Sequence, residues 1–216
     1  MTSPKLVIFD CDGVLVDTEP TTNRILSTNL ARYGLPIDRH EVHTLFAGGT
    51  IRGVGEEAQR RGADLPEHWL DEIYEEVFAA LKLGVEVIPG VIELLDALDA
   101  AGMATAIASN GPMAKMQVSL APSGLLDRFA GRTYSGHDFA PKPDPAMLMH
   151  AMLAAGVDTT STWMIDDMPA GWHAATAAGV ECFAYVADGS PERVAGFQAQ
   201  PVTHMHQIKR LLGLGE

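Results

Sequence analysis

Asp10 and Asp12 stand two residues apart directly behind the apolar run Leu6-Val7-Ile8-Phe9, within Asp10-Cys11-Asp12-Gly13-Val14-Leu15-Val16-Asp17. A strand alternates its side chains between faces, so the two carboxylates point the same way and their like charges need neutralising, most directly by a cation. Gly13 lets the backbone turn sharply behind them. Taken alone, Asp-x-Asp-Gly fits an acidic surface turn as well as a metal or catalytic site. The same ambiguity attaches to Ser109-Asn110-Gly111, to Lys142 between Pro141 and Pro143, and to Asp166-Asp167. Each has a plain reading by itself, as an N-cap, a turn cation and an acidic helix cap.

The elements that must position these residues decide between the readings. Behind the first strand, residues 18–83 carry helical periodicity, clearest where Trp69, Ile73, Tyr74, Val77, Phe78 and Leu81 fall on one face. Asp71, Glu72, Glu75 and Glu76 fall on the other face and read as a solvated surface. The tract from Gly84 to Gly90 breaks the pattern as a linker does. From there strands and helices alternate, with strands expected at 104–108, 132–134, 162–165 and 181–186, and helices at 91–101, 112–120, 145–155 and 169–178. This grammar predicts an α/β fold, a doubly wound Rossmann-like parallel sheet with an inserted all-α helical domain. The expected core is 1–17 with 88–216, and the insertion 18–87. Ligands bind such sheets at the carboxyl ends of the strands, and all four polar segments follow a strand.

A hard divalent cation, Mg²⁺, suits Asp10, Asp167 and a backbone carbonyl. Lys142, Ser109 and the amides near Asn110 form an anion cradle, which with the cation would stabilise charge in phosphoryl transfer. Asp10 is then a nucleophile that forms an aspartyl-phosphate, and Asp12 the group that moves protons.

With 28 acidic against 15 basic residues the net charge is −13, which disfavours nucleic acid and anionic membranes as partners. No apolar run is long enough to span a bilayer. Cys11 and Cys182 read as buried core residues, and the first strand follows Met1 too closely for a secretory signal, so a cytoplasmic protein is expected. A monomer or weak homodimer acting on a small phosphorylated metabolite fits these bounds. Gly53-Val54-Gly55-Glu56-Glu57-Ala58 matches a relaxed dinucleotide fingerprint but has no strand before it, and no P-loop is present. His204 and His206, at strand-like spacing, supply too few ligands for a metal site. His137, His173 and Trp172 read as rim or packing residues.

Together the segments resemble the haloacid dehalogenase superfamily of phosphotransferases, in the subfamily whose helical cap follows the first strand. Asp10 to Asp17 is similar to its first motif, Ser109-Asn110 to its second and Lys142-Pro143-Asp144-Pro145 to its third. Asp166-Asp167 with Gly171, Ala174-Ala175 and Ala178-Gly179 is similar to its fourth. The resemblance implies Asp10 as nucleophile, Asp12 as general acid/base and carbonyl metal ligand, and Asp167 as metal ligand. It further implies Asp166 as a supporting metal ligand, with Ser109, Asn110 and Lys142 at the phosphate. Met168 departs from the family, whose members usually carry Ser there.

Dehalogenases of the superfamily lack the second Asp, so Asp12 argues for phosphorus chemistry. In the insertion, Gly48, Gly49, Thr50 and Arg52 are the expected substrate-facing residues. Members resembling β-phosphoglucomutase hold a second phosphate with an Arg where Ile51 falls here. Arg52 is one residue late, about 100° around a helix. Hydrolysis is therefore expected ahead of mutase activity. Ser109-Asn110-Gly111-Pro112, Lys115-Met116-Gln117 and Tyr134-Ser135-Gly136-His137-Asp138 resemble the 6-phosphogluconate phosphatase branch, which implies a sugar-acid phosphate with Arg52 and Lys115 as carboxylate partners.

Overall fold

Leu6–Phe9 forms β1, four consecutive buried residues flanked on both sides by other strands in the computed structural model, which describes residues 4–46 and 50–215. β2 (Val16–Asp17) follows, then the helices α1 (Glu19–Arg32), α2 (Arg39–Phe46), α3 (Ile51–Arg60) and α4 (Trp69–Leu81). The chain continues through β3 (Glu86–Val87), α5 (Val91–Ala100), β4 (Ala104–Ser109), α6 (Met113–Leu120), α7 (Leu125–Arg128) and β5 (Thr133–Ser135). It ends with α8 (Ala146–Ala155), β6 (Thr162–Asp166), α9 (Pro169–Ala178), β7 (Glu181–Tyr185), β8 (Gln200–Val202) and α10 (Met205–Leu211). Six strands pair in parallel in the order β5-β4-β1-β6-β7-β8, the doubly wound sheet that the alternating pattern dictates.

Period two in β1 sorts its residues between two cores. Leu6 and Ile8 join Ala106, Ala108, Met164 and Cys182 beneath α8 and α9, where Met147, Leu148, Trp172 and Ala175 are all buried. On the opposite face Phe9 meets Phe129 edge-on with ring centroids 6.0 Å apart, and Trp163 stacks on Phe183 at 4.4 Å. Cys11 and Cys182 are buried free thiols.

Two compact units result: Met1–Asp17 with Glu86–Glu216, and Thr18–Val85. The sequence pattern runs the helical insertion to residue 87, whereas Glu86 and Val87 pair antiparallel with Asp17 and Val16 as a short ribbon of the sheet unit. A two-residue strand carries too little periodicity to be read from sequence. β8, α7 and α10 also escape that reading, the first because Pro201 argues against a strand and the helices because they are short.

Within the helical unit, Trp69, Ile73, Val77 and Leu81 are buried along α4, as their spacing requires. Its acidic face is not merely solvated. Asn29 of α1, fully buried, accepts a hydrogen bond from Trp69 Nε1 at 2.7 Å and donates to Glu72 and Glu76 at 3.2 and 3.3 Å. Arg32 pairs with the same two glutamates, and Tyr33 donates to Glu72 at 2.6 Å. Gly55 explains the chance fingerprint: a Cβ there would come within 2.5 Å of the Trp69 ring, so the glycine lets α3 pack closely on α4.

Candidate active site

Sheet register brings Asp10 and Asp166 together. Phe9 pairs with Ile165, so the next residues, Asp10 and Asp166, emerge side by side, tied by the Asp10 amide donating to the Ile165 carbonyl at 2.9 Å. Ser109 ends β4 opposite Ser135 of β5. Behind β1 the chain turns back on itself, with the Gly13 amide donating to the Val16 carbonyl at 2.9 Å. Gly13 has φ +78°, and a Cβ there would lie 2.4 Å from Asp167 Oδ2, so both its conformation and its bareness are required.

Lys142 is the charge that holds this centre together. Its ammonium donates to Asp10 Oδ1 at 2.8 Å and to Asp166 Oδ2 at 2.6 Å, with its side chain 4% exposed. Burial opposes its charge, but Asp10 and Asp166 outweigh that cost and hold its pKa above the usual value. The loop that presents it is clamped by Asn110, whose Oδ1 accepts from the Lys142 amide at 2.7 Å and whose Nδ2 donates to the Lys142 carbonyl at 3.0 Å. The side chain of Asn110 therefore serves the backbone of Lys142. The Ser109 hydroxyl accepts from the Gly111 amide at 3.1 Å, and Ser135 donates to the Gly111 carbonyl at 2.8 Å.

Asp166 is fully buried with both oxygens engaged, Oδ2 by Lys142 and Oδ1 by the Met168 amide at 2.9 Å. Its main-chain carbonyl accepts from Trp172 Nε1 at 2.8 Å, so Trp172 does more than pack. Gly171 is bare because a Cβ would fall 1.9 Å from Asp166 Cγ.

Asp167 contrasts with its neighbour. Its Oδ1 is buried and has no hydrogen-bond partner, an arrangement that costs on the order of 1–3 kcal/mol when nothing compensates. Oxygens of Asp10, Asp166 and Asp167 all lie within 4.8 Å of one another. Burial, with the charges of Asp10 and Asp166, pushes the Asp167 carboxyl up to about 8. Burial likewise pushes Asp10 up to about 7 against the pull of Lys142. The orphaned Asp167 oxygen beside Asp10, with Asp166 behind them held by Lys142 and the Met168 amide, suits a hard divalent cation. Cys11 between the two aspartates is no competing nucleophile, because burial and the charges of Asp12 and Asp10 push its thiol well above the usual range.

Asp12 lies on the same loop, and its Oδ2 accepts from Lys115 Nζ of α6 at 2.8 Å. The resemblance implies Lys115 as a partner of a substrate carboxylate; in the structure its ammonium meets Asp12. The insertion residues belong to the helical unit: Thr50 caps α3, accepting from the Gly53 amide at 3.1 Å, and Arg52 is exposed in the first turn of that helix. Gly48 and Gly49 lie outside the described residues. His204 caps α10 and stacks on His206 at 5.2 Å, in place of the expected strand-like spacing. His173 packs on Phe197 at 4.9 Å, and His137 is exposed.

A parallel α/β sheet gathers acidic residues and one buried lysine at its strand ends. The haloacid dehalogenase-like hydrolase model matches residues 7–185. The chain belongs to that family and is an enzyme, a hydrolase. It is 31% identical over 214 residues to the 6-phosphogluconate phosphatase of Escherichia coli K12, covering 98% of this chain and 96% of the relative. It is 35% identical over 190 residues to a phosphoglycolate phosphatase of Pseudomonas savastanoi, covering 84% and 69%. Among solved structures, a family hydrolase from Deinococcus radiodurans with bound phosphate and sodium superposes with a TM-score of 0.81 at 28% identity, covering 99% of this chain and 98% of that one. Among the described residues, no helix is long and apolar enough to cross a membrane.

Proposed function

We propose that this enzyme is a Mg²⁺-dependent phosphatase that hydrolyses a small phosphorylated metabolite through a phosphoenzyme at Asp10. The observation that carries the reading is the pairing of Asp10 with Lys142 beside the orphaned Asp167 oxygen. Asp10, Asp167 and the main-chain carbonyl of Asp12 would hold the cation, backed by Asp166. When bound, the ion supplies positive charge against the phosphoryl oxygens.

The protein's own groups do the rest. The Asp10 carboxylate attacks phosphorus, and the bond from phosphorus to the leaving oxygen breaks as the new one forms. Asp12 gives its proton to that oxygen and then takes one from the water that cleaves the aspartyl-phosphate. Lys142 opposes the charge that builds up on the transferring group while keeping Asp10 aimed, and the Ser109 hydroxyl with the amides of the Asn110 loop face the remaining oxygens.

A sugar or sugar-acid phosphate, with 6-phosphogluconate foremost, is the substrate class that the near full-length likeness to the Escherichia coli phosphatase supports. Thr50 and Arg52 are assigned to substrate recognition from the helical cap. A panel of 6-phosphogluconate, 2-phosphoglycolate, hexose phosphates and nucleotides, assayed for released phosphate with Mg²⁺, tests this. The highest kcat/KM is expected for 6-phosphogluconate; a higher value for 2-phosphoglycolate overturns the substrate assignment. Asp10→Asn should abolish turnover, and retained turnover removes Asp10 as nucleophile. Isomerised sugar phosphate in place of free phosphate would make the enzyme a mutase.

A further inference from the structure

Lys115 occupies a place that helix formation does not explain. It is the third residue of α6, in the first turn, where the helix dipole disfavours a cation. Its side chain is only 18% exposed, so its ammonium has also lost most of its hydration. Burial opposes its charge, but the charge and hydrogen bond of Asp12 outweigh that cost and hold its pKa above the usual value. What the residue does achieve is geometric. Its Nζ lies 2.8 Å from Asp12 Oδ2, tying the loop behind β1 to the helix behind β4. Sheet register sets the place of Asp10 at the end of β1, and Lys115 reaches Asp12 from a different element, the helix behind β4.

We infer that Lys115 is a positioning residue that holds the Asp12 carboxyl group, in the protonated form that gives up its proton, in line with the leaving oxygen, so that the enzyme can expel leaving groups that require a proton. The inference rests on the phosphatase reading given above. Proton donation demands hydrogen-bond reach between donor and acceptor, about 2.6–3.2 Å, and a carboxylate swinging on two torsions would spend little time there. As the bond from phosphorus to the leaving oxygen breaks, a sugar alkoxide must take the Asp12 proton. A nitrophenolate departs as a stable anion and needs none. The tether should therefore matter for the first kind of ester and hardly for the second.

The test compares kcat/KM, which reports the chemistry up to phosphorylation of Asp10 and omits the later hydrolysis that both esters share. In Lys115→Met, kcat/KM for the best sugar phosphate should fall roughly 30-fold, part of the 10²–10⁴ that general acid catalysis contributes. For p-nitrophenyl phosphate it should change by less than about threefold. Lys115→Gln, which keeps a donor to Asp12 and disturbs the fold less, should recover part of the loss and provides the comparison if the Met variant is unstable. In an Asp12→Asn background, Lys115→Met should have no further effect. Equal losses on both esters would make Lys115 a phosphate-binding group, and an added loss in the Asp12→Asn background would make it a substrate contact. Either result, or unchanged kinetics on both esters, overturns the inference. Failure of the phosphatase reading shows separately, as wild-type protein that releases no phosphate from any ester.

Discussion

Titrating Mg²⁺ into metal-free protein at pH 6 and again at pH 8 probes the acidic centre directly, because the cation must displace the protons that burial keeps on Asp10 and Asp167. Their carboxyls are raised to about 7 and about 8. Both carboxyls are therefore ionised together only rarely at pH 6 and in a substantial fraction of molecules at pH 8. The apparent affinity should therefore rise by roughly two to three orders of magnitude between the two conditions, about 3–4 kcal/mol. Close to two protons should be released per ion at pH 6 and well under one at pH 8. The stability of the metal-free protein runs the other way. Both carboxyls are raised on folding, so between about pH 4 and pH 8 the folded chain binds more protons than the unfolded one, and stability falls as pH rises through that window. Mg²⁺ should accordingly raise the melting temperature far more at pH 8 than at pH 6. Isothermal calorimetry in two buffers of different ionisation enthalpy reads both affinity and proton release. An affinity equal within about threefold at the two pH values, with no proton release, would refute the assignment of Asp10 and Asp167 as cation ligands.

Two further substitutions test how the fold holds itself and its site. Gly171→Ala places a Cβ 1.9 Å from Asp166 Cγ and must push that side chain off Lys142. A loss of about 2–4 kcal/mol in urea unfolding, with lower phosphatase activity, is expected; a neutral effect on both would show that the Asp166–Lys142 contact can relocate freely. Asn29→Ala leaves Trp69 Nε1 without its acceptor and removes the donor to Glu72 and Glu76. It should cost about 1–3 kcal/mol by the same assay, and a change under about 0.5 kcal/mol would mean that the network between α1 and α4 is dispensable.

By itself the sequence determined the sheet, the helical insertion and the residues of the acidic centre, because these rest on short-range physics. Alternation of apolar runs with amphipathic helices specifies a parallel sheet, and a polar residue just after a buried strand has nowhere to go but its carboxyl end. Hence Asp10, Ser109 and Asp166-Asp167 were legible from position alone, as was the core placement of Cys11 and Cys182. Partnerships were not legible, because they join residues far apart in the chain. Lys142 meets Asp10 across 132 positions and Lys115 meets Asp12 across 103, and nothing local in either segment names the other. The same holds for Asn110 clamping the Lys142 backbone and for Glu72 and Glu76 turning from solvent towards Asn29 and Arg32. Gly171 and Gly55 show the limit in its simplest form. In the sequence Gly171 reads as part of the fourth motif and Gly55 as part of a chance fingerprint, and only the tertiary structure supplies the carboxylate or indole that forbids a side chain there. Residue type and spacing thus fixed which groups reach the strand ends; the packing of loops and helices around them decided which charge faces which.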